Sequence, residues 1–188
     1  FLEDGLDKGF LGAPNNGRMK FFIMWANHNV TKLWDSAAAD KEWDKAIWPG
    51  AVSEREFPVL VRRWIDRYFT RPNYYRIGGK PVLMIYELKT FLDGIGGRDA
   101  AQRALAYLRR ACEEAGLGGV YLMACDYALA KSDLAGLGVE GATIYNFVHW
   151  AGDGMCDYAS WADRAQQRYG RAHAEIGLKD YFAHVSVG

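Results

Sequence analysis

The chain has 188 residues, 23 basic and 23 acidic side chains, a formal net charge of zero, and half of its residues apolar. This excludes a disordered chain, suits one domain with a sizeable core, and argues against a nucleic-acid or polyanion partner. No apolar run approaches the roughly 18–20 residues of a membrane-spanning helix. The 11 Tyr, 9 Phe and 7 Trp stand out; most belong in a core, but Tyr and Trp in such number also suit a cleft that stacks on sugar rings.

Residues 1–12 read as a helix end, with Leu2, Leu6 and Phe10 at spacing four, followed by turn chemistry from Pro14 to Gly17. Lys20 to Ala26 is an apolar run expected as a strand buried on both faces. A polar, Trp-rich loop follows from Asn27 to Val52, in which Trp43 and Trp48 read as packing residues. Ser53 and Glu56 have capping-box spacing before a helical face of Phe57, Leu60, Val61, Trp64, Ile65 and Tyr68, and Pro72 lies past its end. A hairpin turned at Gly78–Gly79 feeds a second strand, Val82 to Tyr86.

A helix is expected from Asp99 to Gly116, then a strand from Val120 to Ala124 and another from Ala142 to Val148. Ser160 caps a helix running from Trp161 to about Ile176, and Phe182 to Val187 reads as a fifth strand. Apolar strands alternating with helices predict a parallel sheet covered by helices. Five such strands fit a doubly wound sheet or part of a (β/α)8 barrel, whose full length is roughly 250 residues. Phe1 and Gly188 both read as cut ends, so residues 1–188 are expected to be the central part of one barrel domain.

Cys112, Cys125 and Cys156 show no C-x-x-C pair, which argues against a disulfide framework or a zinc site. No metal or other cofactor is expected: the glycine pairs sit in turns, no expected strand is followed directly by G-x-G-x-x-G, and G-x-S-x-G does not appear.

In parallel α/β folds function gathers at the carboxyl ends of strands. The residues there are Trp25, Asn27, His28 and Asn29 after the first strand, and Tyr86 and Glu87 after the second. Asp126 and Tyr127 follow the third strand, and Tyr145, Asn146, His149 and Trp150 belong to the end of the fourth. Trp34 and Asp35 stand in the first loop, where an exposed Trp calls for a ligand or a cover. Each has a plainer reading beside the functional one. Glu87 can pair with Lys80 or Lys89, Asp126 can cap a turn, His28 can be a bonded loop residue, and Trp25 and Tyr145 can be core.

Two blocks, F-F-I-M-W-A-N-H-N-V-T-K-L-W-D and R-P-N-Y-Y-R-I-G-G-K-P-V-L-M-I-Y-E, resemble the signatures of the bacterial WbsX-like, glycoside hydrolase family 99-like proteins. The resemblance covers most of residues 19–128. It implies a (β/α)8 barrel acting on a glycan. Family 99 enzymes are retaining endo-α-mannosidases with two glutamates on the matching strand; Met24 and Asn27 stand at those positions here, and His28 replaces the WbsX-like pattern's own Glu.

The expected activity is therefore glycoside hydrolysis with Glu87 as acid/base and Asp126 as second carboxylate. His28 assists or binds a hydroxyl. Asn27, Asn29 and Asn146 bind hydroxyls, and Trp25, Trp34, Tyr127 and Trp150 offer ring faces, with Asp35, Tyr86 and His149 beside them. The alternatives are a glycosyltransferase of surface polysaccharide synthesis and a non-catalytic glycan-binding barrel.

Overall fold

Residues 4–32, 44–125, 131–134, 136–144 and 156–184 are described by a computed structural model. Strands β1 (Ile23–Trp25), β5 (Lys80–Ile85), β6 (Tyr121–Cys125), β7 (Gly141–Thr143) and β8 (Asp180–Tyr181) form one parallel sheet in that spatial order. Between them, β2 (Val30–Thr31) and β3 (Ala46–Trp48) make a separate antiparallel hairpin, and β4 (Arg76–Ile77) turns back into β5 at Gly78–Gly79, as expected.

The helices are α1 (Phe57–Trp64), whose last turn widens over Ile65–Phe69, α2 (Leu88–Ile95), α3 (Arg98–Glu114), the short α4 (Lys131–Leu134) and α5 (Tyr158–Ile176). Each parallel strand lies beside its predecessor, with no reversal. The right-handed rule for parallel crossovers then places the described connecting helices on one face. This is the order of a (β/α)8 barrel wall, whereas a doubly wound sheet reverses at its switch point.

Alternation along the strands separates two faces. Register aligns Trp25, Ile85, Ala124, Ala142 and Tyr181 across the sheet on the helix side. There Leu83, Ile85, Leu122 and Ala124 pack with Phe57, Val61 and Trp64 of α1, Phe91 of α2, and Leu105, Leu108 and Cys112 of α3. The opposite face carries the row Met24, Met84, Met123, Gly141 and Asp180.

Val82, Met84, Tyr121 and Met123 are buried on that opposite face, packed with Met24 and Ile77 and with no helix residue in their cluster. Strand side chains burying one another is how a barrel interior fills. Near its amino-terminal end Tyr121 donates a 2.6 Å hydrogen bond to Asp180, two strands away, and burial together with that bond pushes the phenol's pKa upward.

Several local expectations are corrected. The first segment is helical over Gly5–Phe10, as expected, but wound wide, with Leu11 N–H bonded to Leu6 O at 2.8 Å. β1 is half-buried rather than buried on both faces, because among the described residues it pairs in the parallel sheet only with β5. Glu56 reaches back to Ser53 N–H and also accepts from Ser53 Oγ at 2.7 Å, which holds its carboxyl below the usual range.

The reciprocal Ser cap is thus absent, and α1 begins at Phe57 with Pro58 in its first turn. Asp157, not Ser160, caps α5, accepting from Ser160 N–H at 3.0 Å. The fifth strand begins at Asp180 rather than Phe182, though Phe182 N–H still bonds Ala142 O. Residues 145–148 of the expected fourth strand and 185–187 of the fifth lie outside the described residues.

Tyr74 joins the edge of this sheet to its core. Its hydroxyl donates to Val82 O at 2.7 Å and accepts from Ile23 N–H at 3.0 Å, and burial raises its pKa. Burial likewise pushes the Cys112 thiol from 9.0 to about 12. Both groups keep their protons when folded at a pH where the unfolded chain releases them. Stability is therefore full below about pH 9 and falls above it, first through Cys112 and from about pH 10 also through Tyr74. Urea unfolding between pH 8 and 10.5 measures this as a loss approaching about 1.4 kcal/mol per pH unit per group. Tyr74→Phe removes the tyrosine share and costs about 1–3 kcal/mol at neutral pH by orphaning the Ile23 N–H.

Candidate functional site

The site is built where β1 and β5 end side by side. Asn27, two residues past β1, is only 1% exposed. Its Nδ2 donates to Glu87 O at 2.7 Å, and its Oδ1 accepts from Glu87 N–H at 2.9 Å. The carboxamide thus pairs with the Glu87 main chain as another peptide would, extending the β1–β5 ladder after Tyr86 N–H has bonded Trp25 O at 3.1 Å. Both polar ends of Asn27 are consumed, so this residue fastens the strand ends rather than presenting its amide to a ligand.

His28 follows directly. Its Nδ1 lies 2.9 Å from Asn29 O. A carbonyl oxygen only accepts, so Nδ1 carries the hydrogen and, in the neutral ring, Nε2 carries the lone pair. Nε2 has no bond among the described residues. The imidazole leans on the Tyr86 ring, with centroids 5.3 Å apart. Alternation places Tyr86 with Val82 and Met84, on the face whose buried cluster holds no helix residue among the described ones.

Glu87 is half-buried and lies at the N-cap of α2. Neither alternative partner holds it: Lys80 lies 3.6 Å from Glu140, and Lys89 pairs with Asp93. Glu87 Oε2 instead accepts from the Thr90 hydroxyl. Oε1 has no bond among the described residues. Parity carries Glu87 toward the helix side, so a ligand that meets this carboxylate lies high on the rim, above the start of α2.

Trp25 does not face the rim. Its ring packs on Phe57, Trp64 and Phe91 with centroids 5.4–6.1 Å apart, beneath α1 and α2. The sugar-stacking expectation for Trp25 is corrected by its place in the helix-side row. Asn29 is exposed and accepts from Gly50 N–H through Oδ1 at 2.9 Å. This bond draws the return strand of the β2–β3 hairpin across the rim. A Cβ on Gly50 would stand 2.3 Å from His28 O, and one on Gly94 of α2 would stand 2.8 Å from Ala51 Cβ, so two glycines admit the 50–52 segment between the His28 turn and α2.

The rim therefore gathers His28, Asn29, Tyr86 and Glu87 around the buried Asn27. Trp34, Asp35, Asp126, Tyr127, Asn146, His149 and Trp150 lie outside the described residues. The hairpin, α2 and Thr90 escape the sequence reading, because β2 and β3 are short and interrupted and α2 is a brief segment closed by Gly96. His184, past the end of β8, also escapes it. Its main-chain N–H donates to the Tyr169 phenol oxygen, Oη, at 3.0 Å, and burial lowers its imidazole pKa.

Among the described residues no group of three His, Cys, Asp or Glu is placed to hold a metal ion, and no helix is long and apolar enough to cross a membrane. Grooves of about 220 and 230 Å³ lie between α1 and α3, lined by Val61, Ile65 and Tyr107 and by Phe57, Pro58 and Arg103, in the helix layer rather than at the strand ends.

The family model described as glycosyltransferase WbsX matches residues 8–176. The chain belongs to this family, a family of carbohydrate-active domains. No curated protein and no solved structure matches the chain.

Asn27→Ala leaves the Glu87 N–H and C=O unpaired beneath the rim. The expected cost is about 2–4 kcal/mol, since each stranded group carries its own desolvation penalty. Asn27→Asp keeps the acceptor but sets a carboxylate oxygen against Glu87 O, and falls in the same direction. Urea unfolding of the two variants measures this; a cost below about 0.5 kcal/mol for Asn27→Ala would show that the paired strand ends do not depend on the carboxamide.

Proposed function

We propose that this WbsX-family domain is a glycoside hydrolase that works at the rim of its parallel strands, with Glu87 as acid/base. The observation that carries the reading is the Asn27 pairing, which brings His28 and Glu87 off neighbouring strands at one edge of the sheet. Glycoside cleavage needs a proton delivered to the leaving oxygen and a second group that steadies the sugar cation or directs a nucleophile. Glu87 Oε1 delivers the proton, while the Thr90 hydroxyl keeps Oε2 in place. Asp126, directly after β6 in the sequence, supplies the second carboxylate.

His28 Nε2 accepts from a sugar hydroxyl, since its tautomer is set by Asn29 O. Asn29 Nδ2 donates to a neighbouring hydroxyl. Asn146, Tyr127, Trp34, Asp35, His149 and Trp150 complete the glycan contacts in this proposal, and Tyr86 supports the His28 ring.

The family's own description favours a second reading, transfer of a sugar to a glycan acceptor. The imidazole fits it as well, because an unprotonated Nε2 can take a proton from an acceptor hydroxyl. Thermal-shift measurements with nucleoside diphosphate sugars separate the two; a saturable rise in Tm selects transfer.

Hydrolysis is tested on a panel of bacterial and plant polysaccharides. Glu87→Gln keeps an oxygen for Thr90 and leaves the main-chain pairing intact, so the expected result is an unchanged melt with turnover lowered about 10²–10⁴-fold. Full turnover in this variant would remove Glu87 from the mechanism.

A further inference from the structure

We infer that the exposed indole of Trp48 is a stacking platform for a pyranose ring of the glycan, forming one wall of the rim site. The inference rests on the reading of the strand ends as a glycan site and names a contact within it. Composition and position in a long loop suggest a packing residue, yet Trp48 is 69% exposed and its neighbour Ile47 is 53% exposed. Large apolar side chains held out in water on an ordered element call for something that covers them.

The indole stands on a fixed element. Val30 pairs with Trp48 and Thr31 with Ala46, and Lys32 N–H bonds Lys45 O at 3.3 Å. Two residues beyond Trp48 the chain is fastened to the rim itself. Gly50 N–H donates to Asn29 Oδ1, and the Gly50 Cα sits so close to the His28 carbonyl that no side chain fits. Ala51 and Val52 are then held against Gly94 of α2. The main chain that carries the indole is thus fastened, within a few residues, to His28 and to the helix that begins after Glu87.

The surrounding chemistry selects the occupant. A pyranose has an apolar C–H face, which an indole covers well, and a rim of hydroxyls that need partners. Just before Val30, the strand partner of Trp48, the chain offers both kinds of polar partner, Asn29 Nδ2 as donor and His28 Nε2 as acceptor, neither bonded among the described residues. A second copy of this chain, or an apolar protein face, would cover the indole but strip these two groups of water without replacing it. A saccharide has a partner for each kind, an apolar face for the indole and hydroxyls for the amide and the imidazole.

The test starts from an array of defined bacterial and plant oligosaccharides probed with the full chain. Calorimetry with the best-bound oligosaccharide then compares wild type, Trp48→Ala, Trp48→Phe and His28→Ala. Trp48→Ala is expected to weaken binding at least tenfold with an unchanged melt, and Trp48→Phe to recover most of that loss. Wild-type affinity in Trp48→Ala alongside a loss in His28→Ala would overturn the platform and leave the rim reading standing. No binding of any arrayed glycan by the wild type would overturn both. A dimer seen by sedimentation that Trp48→Ala dissociates, at unchanged glycan affinity, would reassign the indole to self-association and overturn the platform.

Discussion

The rim depends on one buried carboxamide. Two parallel strands diverge once their ladder ends, and the loops leaving them carry main-chain groups that must be paired or hydrated. Asn27 resolves both problems at β1 and β5. It presents a donor and an acceptor in the spacing of a peptide, and Glu87 fills both. A carboxylate at position 27 could not donate, and an apolar side chain could do neither. The positions of His28 on one strand end and Glu87 on the other follow from that pairing, and so does the entry angle of α2, for which Glu87 is the N-cap.

The second constraint is directional. Strictly sequential parallel pairing sends every crossover to one side, so the sheet acquires a helix-covered face and a face of its own side chains. The row of Met24, Met84 and Met123 fills that second face with flexible, polarizable side chains. Tyr121 and Asp180 put a hydrogen bond near its amino-terminal end. Polar residues that follow the strands are then left at the carboxyl edge, where the rim is. The same alternation divides neighbours: Trp25 goes under α1 and α2 while His28, three residues on, rests against Tyr86.

Much of the fold was legible because it depends on short-range patterns. Apolar runs at 82–85 and 121–124, the helical face from Phe57 to Tyr68 and the Gly78–Gly79 turn all survive in the structure. The two family blocks point to the family whose model matches residues 8–176. Boundaries were less legible. Asp157 and Ser160 are both good caps, and the choice between them turned on which side chain accepts from which N–H. The β2–β3 hairpin was hidden because its register breaks between Val30 and Thr31, so no alternation of side chains announces it.

The sequence by itself determined a parallel α/β domain, the family, and a concentration of polar and aromatic groups after successive strands, since periodicity and motif spacing are local properties of the chain. Tertiary structure alone decided what each of those groups does. Asn27 is consumed by a residue 60 positions away, Trp25 is turned into the helix layer, and Trp48 is held in solvent by a hairpin pinned on two glycines. Those assignments rest on contacts between distant segments and on the parity of strands relative to the helix layer, which no stretch of sequence contains.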